Sequence, residues 1–401
     1  MFLPNELIDD ILYRVPVKYL LRCRCVSKEW CSIIDSNAFV RKHCKRTNEC
    51  NRGGGVVISG DGKVFLTDVD SLRDDIVDVI ELDDACVSGA EFVGVSNGLV
   101  CLCKDNKNVF VLCNPSTRKY RMLPRIPSVF GREFEEVEVP LCGFGYDCVN
   151  DDYKVVKIGE GEECTVVIVY SLKSNTWKRI QDIGSNVRFI PERGKLVGGA
   201  LHWMTIKYPR NCCGFVFGID LGLEQYKEDP FPDVQGTFIC LVYVGESLCI
   251  TDNYHESHTD VWLMNNHGNG KVWYKAFTVE QPGPFGTFKF IRPVAFSNTG
   301  NDVLLEVDRK KLLWYDLEKK TVKTIKINGI PVKFETHMYT ESLFQLTEAK
   351  QLHKLSQDKK QKQQQKKGDD FLSRGFKLKH EIYLITGKMD VSDYKEGTTD
   401  G

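Results

Sequence analysis

Cysteine and histidine are the residues of this chain whose side chains could bind metals or do redox chemistry. The sequence has 16 cysteines and 8 histidines among 401 residues. Zinc and redox sites place their ligands at short fixed spacings such as Cys-x-x-Cys, and no such pair occurs here. Several cysteines lie instead inside apolar runs, as Cys101 and Cys103 do, where a thiol acts as a small apolar side chain. We therefore predict free thiols in a reducing compartment, without disulfides or zinc.

Two other polar groups have the residue types of metal ligands without the required spacing. His255 and His258 are near enough in sequence to form a metal pair, although a cluster at a loop tip is the commoner arrangement. The acidic stretch at residues 68–84 lacks the central glycine and the alternating ligands of a calcium loop, and we predict a solvated loop. The zinc motif HExxH and the phosphate-binding P-loop are also absent. We therefore expect no catalytic residues, no metal and no cofactor.

The first 46 residues predict three or four short helices with more apolar surface than so small a unit can bury. Leu7, Ile8, Ile11 and Leu12 recur at helical spacing and share one face of the first helix. A unit of under about 50 residues without disulfides or metal rarely stabilises itself. We therefore expect these apolar faces to be covered, either by a partner or by the rest of the chain.

Local signals set the predicted ends of these helices. Val15 precedes Pro16, and the first helix should end there because a residue before proline avoids the helical region. Ser27 and Ser36 each precede a helical pattern. We predict that they cap the N-termini of the third and fourth helices.

The run from Leu3 to His43 resembles the F-box over its whole length. The matching features are a Leu-Pro start, Glu-Leu-Ile and Ile-Leu pairs, a Val-Pro-Val elbow, a Leu-Leu pair and a Val-Ser-Lys-x-Trp block. The resemblance implies docking onto the Skp-type adaptor of a cullin–RING ubiquitin ligase, with apolar anchors in a groove. The implied anchors are apolar side chains of the first 30 residues: Leu3, Pro4, Leu7, Ile8, Ile11, Leu12, Val15, Pro16, Val17, Leu20, Leu21, Val26 and Trp30. Lys28 is implied to form an ion pair at the rim of that groove.

The charge of this region also fits a docking surface. Basic residues outnumber acidic ones between Arg14 and Arg52, and the adaptor of the resembling family is acidic. Such complementarity speeds encounter and fixes register more than it adds affinity. Nucleic acid is not expected as a partner, because the chain has a net charge of −1 and no recognisable nucleic-acid-binding module.

From about Val56 to Leu346 the pattern changes to short strands separated by Gly, Asn, Asp and Pro, which indicates an all-β fold. One unit recurs: an apolar strand, a polar turn, and a strand with basic or aromatic residues. It occurs at residues 109–121, 167–180, 217–227, 261–275 and 313–323. A Gly- or Asn-led buried strand precedes most units, at residues 96–102, 198–203, 245–250 and 301–306.

This repeat predicts a propeller of four-stranded blades. Its period of about 45–55 residues matches one blade, as in kelch repeats. We expect about six blades, with a weak first blade at residues 56–82. Residues 334–346 are expected to return a strand to that blade and close the ring, which would remove exposed sheet edges.

The same region resembles the F-box-associated domain of plant F-box proteins. The matching segments include Asn114–Arg118, Gly143–Asp147, Asp152–Val156 and Ser171–Trp177. The resemblance implies three parts: an F-box at residues 1–46, a kelch-like substrate-recognition domain at 56–346, and a charged, low-complexity segment at 347–401. Residues 369–378 resemble one member of the family that recruits intracellular NLR immune receptors, which makes such a receptor an implied protein target.

The bulk composition is that of an ordinary globular protein, with 42% apolar residues. No run reaches the roughly 18 consecutive apolar residues of a membrane span. The sequence starts with an acidic helix and not with a secretory signal, so we expect the cytoplasm and/or the nucleus.

The resemblance implies a non-catalytic substrate receptor of a Skp–cullin–F-box ubiquitin ligase, which reaches cullin and the RING subunit through the adaptor. The residues alone leave an alternative: a non-ligase propeller binding module or propeller enzyme with a helical N-terminal cap.

Overall fold

The computed structural model describes most of the chain between residues 5 and 346. The described residues are 5–50, 54–74, 76–104, 109–130, 141–160, 164–184, 187–207, 214–236, 238–254, 256–265, 271–284 and 286–346. Leu3, Pro4, His255 and the predicted tail segment 347–401 lie outside them.

Four short helices form first, and they obey the local signals of the sequence. They are α1 (Asn5–Tyr13), α2 (Val17–Cys23), α3 (Lys28–Asp35) and α4 (Asn37–Cys50). Ser27 Oγ accepts a hydrogen bond from the Trp30 N–H at 3.1 Å, and Ser36 Oγ accepts one from the Phe39 N–H at 3.2 Å. Both predicted caps are therefore confirmed. We call residues 5–50 the helical module.

Strands follow in six sets. The first is β1 (Gly54–Gly60), β2 (Lys63–Asp68), β3 (Ile76–Val77) and β4 (Ile80–Glu81); the second is β5 (Glu91–Ser96), β6 (Leu99–Lys104), β7 (Val109–Asn114) and β8 (Lys119–Met122). The third is β9 (Cys142–Asp147), β10 (Asp152–Glu160), β11 (Cys164–Ser171), β12 (Thr176–Arg179) and β13 (Ile183–Gly184). The fourth is β14 (Val187–Phe189), β15 (Lys195–Val197), β16 (Ala200–Lys207), β17 (Gly214–Asp220) and β18 (Tyr226–Asp229). The fifth is β19 (Phe238–Val244), β20 (Ser247–Tyr254), β21 (His258–Asn265) and β22 (Val272–Glu280); the sixth is β23 (Ile291–Phe296), β24 (Asp302–Val307), β25 (Lys311–Asp316) and β26 (Val322–Ile327), and β27 (Glu335–Thr340) ends the fold.

These strands make six sheets, one per blade, which confirms the predicted propeller. The five predicted hairpins are β7–β8, β11–β12, β17–β18, β21–β22 and β25–β26. The four Gly- or Asn-led elements supply β6, β16, β20 and β24. Alternating apolar side chains fill the space between neighbouring blades, and Trp203 is fully buried there.

Two pairings close the ring. β27 pairs antiparallel with β1, from Gly54 opposite Thr340 to Ser59 opposite Glu335, so the predicted return of the late strand is confirmed. β3 pairs in parallel with β26 of the sixth blade. The acidic stretch at residues 68–84, which we expected as a loop, therefore contains a short 3-10 turn (Asp70–Arg73) and two edge strands. Its apolar residues, such as Val77, explain the difference because they are buried.

The innermost strands surround a central channel. They are β27, β5, β9, β15, β19 and β23, each in contact with the next and the last in contact with the first. Within the described part of the chain, no helix is long and apolar enough to cross a membrane.

Candidate functional site

Three of the predicted contact residues on the helical module are exposed apolar side chains. Leu7 and Ile11 are each 51% exposed, and Val26 is 64% exposed. Leu7 and Ile11 are four residues apart on α1 and so lie on one face of the helix. Pro16 and Lys28 are exposed as well. The module thus presents apolar surface that the rest of the described chain does not cover.

Other predicted contacts form the core of the module. Leu12, Val17 and Leu20 are almost completely buried, together with Ile34. Ile8, Val15, Leu21 and Trp30 are partly buried against this core. The predicted set therefore divides into an exposed part, which can touch a partner, and a buried part, which positions the exposed part.

The module is joined to the propeller by residues 341–346, which we call the strap. The strap follows the ring-closing strand β27, and its Leu343 is buried in the core of the helical module. Leu346 is buried between the second and third blades. The ring of Phe344 packs edge-on against Tyr153 of the third blade, with centroids 4.9 Å apart. One short segment therefore contributes to both hydrophobic cores.

A buried asparagine holds the strap in place. Asn114 is fully buried at the end of β7, and its Nδ2 donates to the backbone oxygens of Ser342 at 2.9 Å and Phe344 at 2.8 Å. Its Oδ1 accepts from the Ser116 N–H at 2.9 Å, as the Asn-Pro-Ser turn chemistry requires. The asparagine thus shapes its own turn and satisfies two carbonyl groups of the strap.

Polar contacts link the module to the turns of two blades. Asn48 Nδ2 donates to Asn97 Oδ1 at 3.0 Å, in the turn between β5 and β6. Arg41 pairs with Asp151, which lies between β9 and β10. All these contacts are at the end of the ring where innermost strands finish.

The segment Gly94-Val95-Ser96-Asn97-Gly98 has the letters of the GxSxG nucleophile elbow. That motif requires a sharp strand-to-helix turn that exposes the serine. Here Ser96 ends β5, and the chain turns directly into β6. Ser96 is buried, and its Oγ accepts from the Tyr146 N–H at 3.1 Å. The structural context of a nucleophile is therefore missing.

The buried charges of Lys154 and Asp147 are also paired within the scaffold. Lys154 Nζ lies 2.8 Å from Asp147 Oδ2 and 2.8 Å from Glu224 Oε1, which joins the third and fourth blades. Burial alone would lower the pKa of Lys154, but its two carboxylate partners outweigh burial and raise that pKa. A lysine held protonated in this way is a structural cation and not a base.

The described cysteines and histidines do not gather into a metal site. No cluster of three or more His, Cys, Asp or Glu side chains among the described residues could hold a metal ion. The described cysteines form no disulfide. Burial raises the pKa of Cys113 to about 12, so its thiol stays protonated. His258 stacks on Tyr254 and contacts Ser257.

A cavity of about 500 Å³ lies at one end of the central channel. Its lining includes Glu91 of β5, Arg292 of β23 and Glu335 of β27, which stand at or next to the first residues of innermost strands. The strap follows the last residue of β27. Because each residue of a strand adds about 3.3 Å, the six residues of β27 separate the two by roughly 20 Å. The cavity and the helical module are therefore at opposite ends of the ring.

An interruption in the fourth blade brings two charged residues into this cavity. β14 and β15 both pair with β16, and residues 190–194 between them leave the sheet. The Ile190 N–H donates to the Met204 oxygen at 2.9 Å, and the Gly194 N–H donates to the Cys142 oxygen at 2.8 Å. These bonds hold the bulge that carries Glu192 and Arg193 into the cavity lining.

Glu335 is the centre of the charged network in the cavity. Its carboxylate lies 2.8 Å from Arg193 Nη1 and 3.3 Å from Arg309 Nη2. Burial would raise the pKa of Glu335, but the neighbouring His337, Arg193 and Arg309 hold it well below the usual range. Glu335 is therefore a permanent anion shared by two guanidinium groups.

Two more titratable groups line the cavity with incomplete partners. Burial lowers the pKa of His337 to about 3, so the ring is neutral, and it stacks on Phe92 with centroids 3.9 Å apart. His337 Nε2 is 3.7 Å from Glu335 Oε2, too far for a hydrogen bond. Burial raises the pKa of Glu192 to about 7, partly offset by Lys195, whose Nζ is 4.0 Å away. Our sequence analysis missed this site, since only the Pro191 break within a strand pattern signals it.

Comparisons with known proteins agree with the two-part architecture. A model of the F-box domain matches residues 2–42, and a model of the F-box associated beta propeller domain matches residues 72–359. F-box protein CPR1 of Arabidopsis thaliana is 32% identical, over 94% of this chain and 99% of that protein. F-box protein At4g22390 of the same plant is 31% identical over the same shares. Among solved structures, TolB from Acinetobacter baumannii aligns with a TM-score of 0.46 at 10% identity, over 76% of this chain and 72% of that chain.

Proposed function

The chain belongs to the F-box proteins that carry an F-box associated beta propeller domain, and we propose that it is the substrate-recognition subunit of a Skp–cullin–F-box ubiquitin ligase. The observation that carries this proposal is the exposure of Leu7, Ile11 and Val26 on helices that already have a core of their own. Exposed apolar side chains on a short helix are suited to insertion into a groove of a partner.

The exposed residues make the contact in this proposal, and the buried ones support it. Leu7, Ile11 and Val26 enter the Skp-type adaptor, and the exposed Lys28 pairs at the rim. Leu12, Val17 and Leu20 keep the helices in place. Through the adaptor the chain reaches cullin and the RING subunit.

The chain supplies no chemistry of its own in this proposal. It holds a target protein so that a bound ubiquitin-conjugating enzyme reaches the lysines of that target, which is catalysis by proximity. An intracellular NLR immune receptor is our proposed class of target, on the resemblance of residues 369–378. We place the complex in the cytoplasm and/or the nucleus, where cysteine thiols stay reduced.

Loss of adaptor binding on surface substitution tests the proposal. Leu7→Asp combined with Ile11→Asp should abolish co-purification of a co-expressed Skp-type adaptor, because a buried carboxylate in an apolar groove is costly. Ile80→Asp is the matched control, since Ile80 is 61% exposed on an edge strand of the propeller. Equal adaptor recovery for the double variant and the control would overturn the proposal, provided that both melt like the wild type.

One observation favours the alternative of a non-ligase propeller with a helical cap. The strap fixes the helical module to the propeller through Leu343, as a cap would be fixed. This alternative predicts a chain that is soluble without adaptor and binds none. Co-expression with and without the adaptor separates the two functions.

A further inference from the structure

The cavity opposite the helical module has the size and the incomplete polar contacts of a ligand site. Ligand pockets commonly measure about 300–1,000 Å³, and this cavity measures about 500 Å³. His337 is 7% exposed, and neither ring nitrogen has a hydrogen-bond partner among the described residues. Buried polar groups are normally paired. Unpaired groups that line a cavity therefore indicate that something else binds there.

The charge of the lining favours an anionic ligand. Four basic side chains and three carboxylates line the cavity: Arg193, Lys195, Arg292 and Arg309 against Glu91, Glu192 and Glu335. Arg292 is committed to Glu306, at 2.5 Å, and to the Thr336 oxygen. Since its pKa is about 7, the Glu192 carboxyl keeps a proton for part of the time at neutral pH. The compensation of Lys195 is then incomplete.

Arg309 is the cation best placed to meet a ligand. It shares the Glu335 carboxylate with Arg193, so one negative charge serves two guanidinium groups. The side chain of Arg309 is 59% exposed. A guanidinium group offers five N–H donors, more than a shared carboxylate occupies. Arg309 can therefore bind a second carboxylate.

We propose that this cavity receives a carboxylate side chain from an acidic segment of a target protein, bound by Arg309 with Arg193 and Lys195. Charge-assisted hydrogen bonds of this kind are short and strong. Phe92 and Tyr243, also in the lining, contact the apolar part of the segment. Because the helical module is at the other end of the ring, a bound target and a bound adaptor do not compete. The inference rests on the proposed function for the nature of the ligand.

Selection from a random heptapeptide library displayed on phage tests the inference. The bait is the full chain in its complex with the Skp-type adaptor, as wild type, Arg309→Gln or Arg118→Gln. Arg118 is a matched control, because Arg118 and Arg309 both have a φ of 54° and both are exposed. We expect peptides recovered on the wild type and on Arg118→Gln to be enriched in Asp and Glu over the starting library. We expect the same peptides to bind Arg309→Gln at least about tenfold more weakly.

Three outcomes would overturn the inference: no peptide recovered above background, no acidic enrichment, or undiminished binding to Arg309→Gln. Thermal melting shows whether the variant is folded, and Lys195→Gln takes its place if it is not. Adaptor co-purification is read separately. Adaptor binding without acidic enrichment overturns only this inference, whereas acidic enrichment on a chain that binds no adaptor overturns only the proposed function.

Discussion

The side-chain amide of Asn114 donates to the backbone oxygen of Ser342 at 2.9 Å, although the two residues are 228 positions apart in the chain. Asn114 belongs to the second blade, whereas Ser342 follows the strand that closes the first blade. Leu343 lies next to Ser342 and is buried in the helical module. The position of the module on the ring therefore depends on a polar contact made inside the propeller.

Replacing Asn114 should weaken this attachment. Asn114→Ala leaves the Ser342 and Phe344 oxygens without their donor in a buried place, and we expect a loss of about 2–4 kcal/mol in the free energy of unfolding. Urea denaturation measures the loss. Asn328→Ala, at an exposed turn, should change the same quantity by less than about 0.5 kcal/mol. Equal effects of the two substitutions would contradict the role of Asn114.

A glycine beside the strap permits its close approach. Gly98 has a φ of +79°, and a Cβ atom there would lie 2.0 Å from Ser342 Cβ. Gly98→Ala should therefore cost several kcal/mol, because the strap must move as well as the turn. Gly245 has a φ of +59° with nothing within 4 Å of the added atom, so Gly245→Ala should cost only about 1 kcal/mol. Thermal melting of the two variants decides the point, and equal melting temperatures would show that the strap is not confined there.

The blades could be predicted from the sequence because their signals are local. A hairpin such as β7–β8 needs only alternating apolar residues around a polar turn, and Asn114–Arg118 supply both. The caps at Ser27 and Ser36 are local for the same reason. The return of β27 to β1 was predicted from ring closure, since a propeller otherwise exposes two sheet edges.

The division of the helical module and the cavity could not be predicted in this way. Helical spacing alone does not separate Ile11, which is exposed, from Leu12, which is buried, because the strap residue Leu343 completes the core from a distant part of the chain. The cavity joins Arg193, Arg309 and Glu335 from three separate segments. No local pattern brings such residues together, since only the closed ring does.

Two buried histidines should respond in opposite ways to phenylalanine. His337 has no hydrogen-bond partner at either ring nitrogen among the described residues and stacks on Phe92. His337→Phe keeps the stacking and removes two unpaired polar atoms, so we expect a gain of about 1 kcal/mol in the free energy of unfolding. His43 Nε2 bonds to the Val15 oxygen at 2.8 Å, and His43→Phe should cost about 1–3 kcal/mol.

The gain from His337→Phe should also depend on pH. The pKa of His337 is about 3 in the folded state and 6.5 as an ordinary histidine. The unfolded chain therefore takes up a proton before the folded chain does, and the wild type loses stability as the pH falls below 6.5. The phenylalanine variant lacks this loss. Denaturant midpoints measured at pH 5 and pH 7 test both points, and a destabilised His337→Phe at pH 7 would contradict the first.

Glu192 should make the protein less stable as the pH rises. Its pKa is about 7 in the folded state and 4.5 as an ordinary glutamate, because burial disfavours the charged form. The folded state thus binds the extra proton between these values, and the free energy of unfolding falls as the pH increases from 4.5 to about 7. Glu192→Gln removes the carboxylate, so its stability relative to the wild type should grow across this range and reach about 2–3 kcal/mol above pH 7. Glu318→Gln, an exposed control, should show no such trend. Denaturation curves at pH 5, 6, 7 and 8 measure the difference, and a constant difference between Glu192→Gln and the wild type would mean that the cavity around Glu192 is already hydrated enough to keep the carboxylate charged.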